Sequence, residues 1–249
     1  MFAGTALLTA VGLVVALPVS FAAAALLISR RVSRATLREV VTAARRYRSY
    51  PLLSLPGALF DALACSAAVL VISASYGISE VGQFSQIQRF VGAPLLLVSA
   101  SLFQVFLRQS ADQYQAGRSL TPLLVQVGSR VAGLVAGVMV AVVALGEPLL
   151  GLLLGAEWRV DRYFLVTVVG ALALRVCVSP FSSVLFTTGR LRSLFAWQLA
   201  YFLTAFTVLP LAAGRLGFDQ FLAVYLLHET VLYALYLALI VRAARGRKN

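Results

Sequence analysis

The sequence predicts an all-α fold, a multispanning transmembrane helix bundle of about seven helices. Three observations predict it. The 249-residue chain is 61% hydrophobic and 12% charged, with a mean hydropathy of +0.91, whereas a soluble domain is about half apolar and a quarter charged. Its apolar residues fall into successive runs, most of at least the ~20 residues that cross ~30 Å of hydrocarbon at ~1.5 Å rise per residue. Its arginines cluster between alternate runs. A water-surrounded core has no place for this apolar excess, so the chain is read as an integral membrane protein.

The formal net charge is +12. In a soluble protein such a surplus would suggest nucleic acid. Here the bases lie between apolar runs, the pattern of cytoplasmic loops facing anionic membrane lipid. No basic stretch has interleaved aromatics, so nucleic acid is not expected as a partner. Cys65 and Cys177 both fall inside apolar runs and read as small buried side chains without a disulfide. With one histidine and no Cys/His cluster, neither a metal nor a cofactor is expected. No nucleophile elbow, HExxH or phosphate-cradling glycine turn is present, so the reading is not an enzyme.

In chain order, Leu7 to Ile28 is the first apolar run, with Pro18 as a kink. No base precedes it, while Arg30 and Arg31 follow at once, which is the reverse of a secretory leader. Positive-inside logic therefore starts it outside and ends it in the cytoplasm. Ser33 to Arg48 places Leu37, Val40, Val41, Ala44 and Tyr47 at helical spacing, with Arg34, Arg38, Arg45 and Arg48 mostly off that face and Ser33 as N-cap. It reads as a basic amphipathic helix on the inner surface, or as a solvated linker with the same charge.

Leu52 to Ser75 then crosses outward and Phe84 to Leu107 returns, joined by a polar turn over Tyr76 to Gln83. Arg108 to Thr121 reads as a cytoplasmic loop. Pro122 to Leu145 crosses outward, and Gly146 to Arg162 reads as an outer loop anchored by Trp158 and carrying Glu147, Glu157 and Asp161. Tyr163 to Phe186 returns, Ser193 to Ala213 crosses outward, and Phe221 to Val241 returns to leave a basic tail inside. The expected organisation is a transmembrane helix over 1–29, a basic linker over 30–50, a six-helix lobe over 51–241 and a tail over 242–249.

An ionisable side chain inside a span costs ~2.5–3.5 kcal/mol at its centre, so it usually faces protein or water. Asp61 lies mid-span on a stripe of small residues: Ser54, Gly57, Ala58, Ala64, Cys65 and Ala68. Such a stripe either lets a helix approach closely or lines a cavity. Arg89 sits near the outer end of the return span beside Gln88, Ser85, Gly92 and Ser99, with Gly92 and Pro94 expected to interrupt the helix. Snorkelling is its alternative role. Arg175 shares a face with Ser179, Ser182 and Ser183 just before Pro180. His228 and Glu229 lie with Tyr225, Tyr233 and Tyr236 on the last span. The candidate cavity residues are thus Arg89, Arg175, Asp61, Gln88, Glu229 and His228. The plainer reading of each is a buried pair that only holds the bundle.

From Tyr47 to Gln109 the chain resembles the polysaccharide-exporter or O-antigen-flippase-like family of the multidrug/oligosaccharidyl-lipid/polysaccharide superfamily. The resemblance is carried by Tyr50-Pro51, Leu55-Pro56, Tyr76-Gly77, Gly82, Arg89, Pro94 and Gln104-Val105-Phe106. A second block follows in Leu154-Gly155, Glu157-Trp158, Ser179-Pro180-Phe181-Ser182 and Gly189-Arg190. Asp61 departs from the Asn that the family pattern carries. The resemblance implies one lobe, plus one helix, of a two-lobed flippase of a bacterial inner membrane. The expected cargo is a polyprenyl-diphosphate-linked oligosaccharide. It also implies that the chain is the carboxy-terminal half of such a protein, or a shortened member working with a partner lobe or as a homodimer. The other readings are a multidrug/cation exporter of the same superfamily and an inactive or partner-dependent fragment. The topology makes a direct prediction: reporters at Ala43 and after Asn249 read cytoplasmic, and one at Thr5 reads outside. A Thr5 reporter found inside overturns the topology.

Overall fold

The computed structural model describes residues 37–154 and 161–245. The first expected span, Trp158 and Glu157 of the outer loop, and the end of the basic tail lie outside the described residues. The chain divides into two units, Met1–Arg48 and Ser49–Asn249, each described by itself. In the first, helix α1 covers Leu37–Tyr47, within the stretch whose spacing predicts a helix. Arg38, Arg45 and Arg48 are exposed there.

The second unit is all-helical, with no strand among its described residues. It has six helices long and apolar enough to cross a membrane, which makes the chain a multi-pass membrane protein. α2 (Ser49–Ser75) tolerates Pro51 in its first turn and Pro56 one turn further on. It packs on α8 (Leu191–Ala213), where the small stripe acts as a seam. Gly57, Ala64 and Ala68 are buried, and Phe60 stacks on Phe202 at 5.1 Å. A Cβ on Gly57 would fall 2.1 Å from the Gln198 side-chain oxygen, so only glycine admits Gln198 as it stands.

The turn expected over Tyr76 to Gln83 is much shorter. Gly77 takes an extended conformation and α3 (Ile78–Ile87) starts immediately, with Glu80 in its first turn favoured by the helix dipole. A widened π-type turn, Gln88–Gly92, leads without a break into α4 (Ala93–Gln115). The physical reason is Pro94, which has no N–H and crowds the preceding turn. The Ala93 N–H reaches back to the Gln88 carbonyl, which widens that turn and keeps the ladder continuous. Arg89 consequently lies eleven positions beyond Ile78, about 16 Å along the 38-residue helical stretch that runs to Gln115.

The loop expected over Arg108 to Thr121 shrinks as well. α4 continues to Gln115 and is closed by Gly117 at φ +71°, with Arg118 N–H donating to Gln113 O at 2.9 Å. Gly189 at φ +70° closes the next helical hairpin in the same way, with Arg190 N–H on Leu185 O at 2.8 Å. Both are left-handed C-caps, which a glycine adopts without strain. α5 (Thr121–Leu154) runs through Gly146 and Pro148, where the sequence reading began an outer loop. α6 (Arg162–Val178) passes through a 3-10 turn, Ser179–Ser182, into the short α7 (Ser183–Thr187). α9 (Phe218–Arg245) ends the bundle.

α6 is the central helix. It forms most of the Arg162–Thr187 span, the most buried of the six, whereas α5 is the least buried, packing mainly on α6 and turning most of its surface outward. The alternating direction of the helices gives the bundle two ends. One holds Arg108, Arg118, Arg190, Arg192, Arg242 and Arg245 against Asp112. The other holds Arg162 and Arg215 against Glu80, Asp161 and Asp219. Ser110 and Thr187 hydroxyls meet at 3.0 Å near the arginine-rich end, while Tyr76 donates to Leu216 O at 3.0 Å at the other. With Cys65 and Cys177 replaced by Ala, Ser110→Cys together with Thr187→Cys is expected to cross-link under mild oxidation. No cross-link would count against the pairing of α4 with α7.

Candidate functional site

A cavity of about 610 Å³ opens among α2, the α3–α4 helix and α6, with Tyr233 of α9 at its back. Asp61, Gln88, Arg89 and Arg175, four of the six predicted site residues, line it together. Each gets there for a local reason. Asp61 is about one helical turn before Cys65, on the same face of α2. Gln88 and Arg89 sit in the widened turn, where the extra residue per turn swings them relative to the rest of the helix. Arg175 lies one turn before the 3-10 segment, and Ser179 of that segment also lines the cavity. The irregular backbone on both walls thus coincides with the cavity, where such segments are tolerated at membrane depth. Arg89, Ala93 and Leu96 are exposed and mark its open side.

Glu229 and His228 do not line the cavity; they lie behind Arg175. Arg175 Nε donates to the Tyr233 hydroxyl at 3.1 Å, and Nη2 donates to the Tyr201 hydroxyl. The Tyr201 hydroxyl in turn donates to Glu229 Oε1 at 2.8 Å. Glu229 Oε2 stands 3.5 Å from Arg175 Nη2, and its side chain is only 2% exposed. Carboxylate and guanidinium therefore compensate each other across a tyrosine bridge, which is what allows a charge to be buried there.

His228 completes the rear of the network. Its Nε2 lies 3.0 Å from Thr204 Oγ1, whose own proton goes to Ala200 O at 2.8 Å. The direction of the His228–Thr204 hydrogen bond follows the imidazole tautomer. Nδ1 is left facing Glu229 Oε1 at 3.6 Å, too far for a hydrogen bond. Nδ1 and Glu229 Oε2 are buried atoms without hydrogen-bond partners among the described residues. Trp197 locks the aromatic layer, stacking on Tyr236 at 3.7 Å and donating to Leu232 O at 3.1 Å.

Sequence reasoning missed Trp197, Tyr201 and Thr204. Their signal was present as spacing: positions i, i+4 and i+7 place three polar-tipped side chains on one face of an otherwise apolar span. It also missed Arg130, a charge nine positions beyond Thr121 in α5. Of the serine face, Ser183 turns its hydroxyl back to Pro180 O at 3.1 Å and contributes to packing alone.

The cavity can present a cation to a ligand from two sides. Arg175 is held in place by its partners, whereas Arg89 makes no hydrogen bond or ion pair among the described residues. Asp61 is the single acid on the wall. No known family model matches this chain, and neither curated proteins nor solved structures give a match.

The network predicts a stability pattern. Arg175→Ala leaves the Glu229 carboxylate buried without its cation, so unfolding in a fixed detergent is expected to become easier by ~3–5 kcal/mol. Adding Glu229→Gln removes the stranded charge and is expected to recover a large part of that loss. Equal stability of the single and double variants would show that the pair is not coupled.

Proposed function

We propose that this chain takes part in moving a lipid-linked oligosaccharide across a bacterial inner membrane, with its cavity receiving the diphosphate end of the headgroup. The observation that carries this reading is Arg89, an exposed guanidinium within a span, unpaired among the described residues, on the rim of a largely apolar cavity that also holds Asp61, Gln88 and Arg175. A guanidinium binds phosphate oxygens as a fork, and does so more strongly away from bulk water. Arg175 forms a second, fixed positive wall. The volume suits a headgroup of ordinary ligand size, and the open side leaves the attached hydrocarbon free to stay in lipid. A partner lobe or a second copy would close that side, and rocking of one lobe against the other would expose the cavity alternately to each face. In this reading the arginine-rich end is cytoplasmic, so the carboxy terminus is inside.

Asp61 in the same cavity favours a second reading, an exporter of organic cations. Arg89 on the rim would repel such a cargo, and this places the glycan reading first.

The test uses the full chain in liposomes with a fluorescent polyprenyl-diphosphate-linked sugar, scored for binding and for transfer between leaflets. Arg89→Ala is expected to weaken binding about tenfold, the scale of one charge-assisted hydrogen-bond contact. Binding unchanged in both Arg89→Ala and Arg175→Ala would remove the phosphate role. Binding of an organic cation that is lost in Asp61→Asn would establish the second reading instead.

A further inference from the structure

Further along α4 toward Gln115, on an adjoining face, lies a second groove, of about 310 Å³, between α4 and α5. Its walls are apolar except for Gln109 and Arg130. Arg130 is exposed and makes no hydrogen bond or ion pair among the described residues, and no acid lines the groove. An unpaired guanidinium inside a membrane span needs an anion or water. We propose that the groove is a binding site for one anionic phospholipid of the bilayer, its phosphate on Arg130 and Gln109 and one acyl chain along the apolar wall.

The dimensions and directions fit that occupant. From Gln109 to Val98 the wall runs eleven residues, about 16 Å along α4, which is about half of a ~30 Å hydrocarbon layer and so the depth of one leaflet. The polar residues are at the arginine-rich end of the bundle, and Val98 and Leu134 are at the deep end. Side chains on a helix lean toward its amino terminus. α5 begins at the arginine-rich end and α4 finishes there, so Arg130 leans outward and Gln109 leans inward. They converge from opposite directions on one level, about 9–13 Å below the helix ends at Gln115 and Thr121. Both helices exceed the length needed to span hydrocarbon, so their ends project into the headgroup layer and the converging pair meets the phosphate near its edge. A partner helix carrying an acid could also neutralise Arg130. However, the leaflet-deep apolar wall, with no acid beside it, suits an acyl chain under a phosphate. The inference stands on this groove alone and not on the glycan reading.

The test is native mass spectrometry of the full chain from micelles holding equal amounts of phosphatidylglycerol and phosphatidylcholine. Wild type is expected to retain one phosphatidylglycerol per chain, preferred about tenfold over phosphatidylcholine. Arg130→Gln is expected to bring the preference near unity. Val105→Trp, an exposed wall position, is expected to reduce retention of both lipids while elution in size exclusion stays that of wild type. An undiminished preference in Arg130→Gln, or no retained lipid in wild type, would overturn the proposal. A third arm adds polyprenyl phosphate at equal concentration: its displacement of phosphatidylglycerol would reassign the groove to the cargo lipid and defeat the phospholipid proposal.

Discussion

The bundle depends on one compensated charge pair. Glu229 is buried in α9, in the most tightly covered part of an apolar protein, and a lone carboxylate there would be prohibitively costly. Arg175 of α6 compensates it, and Tyr201 of α8 bridges the two by accepting from the guanidinium and donating to the carboxylate. Three helices are thereby fixed in register at one level. Lipid supplies no hydrophobic drive to bring spans together, so such polar contacts and close packing decide which helices meet. α2 joins the group through its small-residue seam on α8, and the cavity is the space left between α2 and the α3–α4 helix around the outer side of Arg175.

The same arrangement explains why the backbone departs from regular helix where it does. The widened turn at Gln88–Gly92 and the tightened turn at Ser179–Ser182 are on facing walls, and each contributes lining residues. Gly92 and Pro94 cause the first and Pro180 the second. Each departure re-aims side chains toward the cavity while the ladder on either side continues. Both helical hairpins at the arginine-rich end close on a positive-φ glycine, which keeps the connections short and the spans antiparallel.

α4 is shared by two environments of different character. Its Ser99 and Leu95 side borders the mixed-charge cavity, and its Val98 and Val105 side borders the apolar groove. α5, beyond that groove, is the least buried span, and lipid or another protein surface must cover it. Charge placement separates the two sites. At the cavity, Arg175 is neutralised by Glu229, whereas Arg89 makes no ion pair among the described residues. At the groove, Arg130 has no acid beside it among the described residues.

Much of this was legible from the amino acids. Six of the expected spans coincide with the six membrane-length helices because a ~20-residue apolar run has a local, one-dimensional signature that needs no partner. Asp61, Gln88, Arg89 and Arg175 were recognisable as misplaced polar residues for the same reason. The helix ends were less legible. The polar stretches at 76–83 and 108–121 look like loops, yet much of each remains helical, since a helix satisfies its own backbone whether its side chains are apolar or polar; in 146–162 the glycine and proline at its start look like a break, yet the leucine-rich 146–154 continues the helix. What the sequence could not express was which side of Arg175 each acid would occupy. Glu229 and His228 fall behind it and Asp61 in front of it, although all three are simply ionisable residues in apolar runs. That division is set by how α6 is rotated against α2, α8 and α9, and the rotation follows from the simultaneous fit of Trp197 and Tyr201 of α8 against α6 and α9 and of Gly57 of α2 against Gln198 of α8. Composition and spacing determined that the chain crosses a membrane and which residues were out of place there. Only packing between helices decided which of them neutralise one another and which face the cavity, because pairing depends on distances that no single span contains.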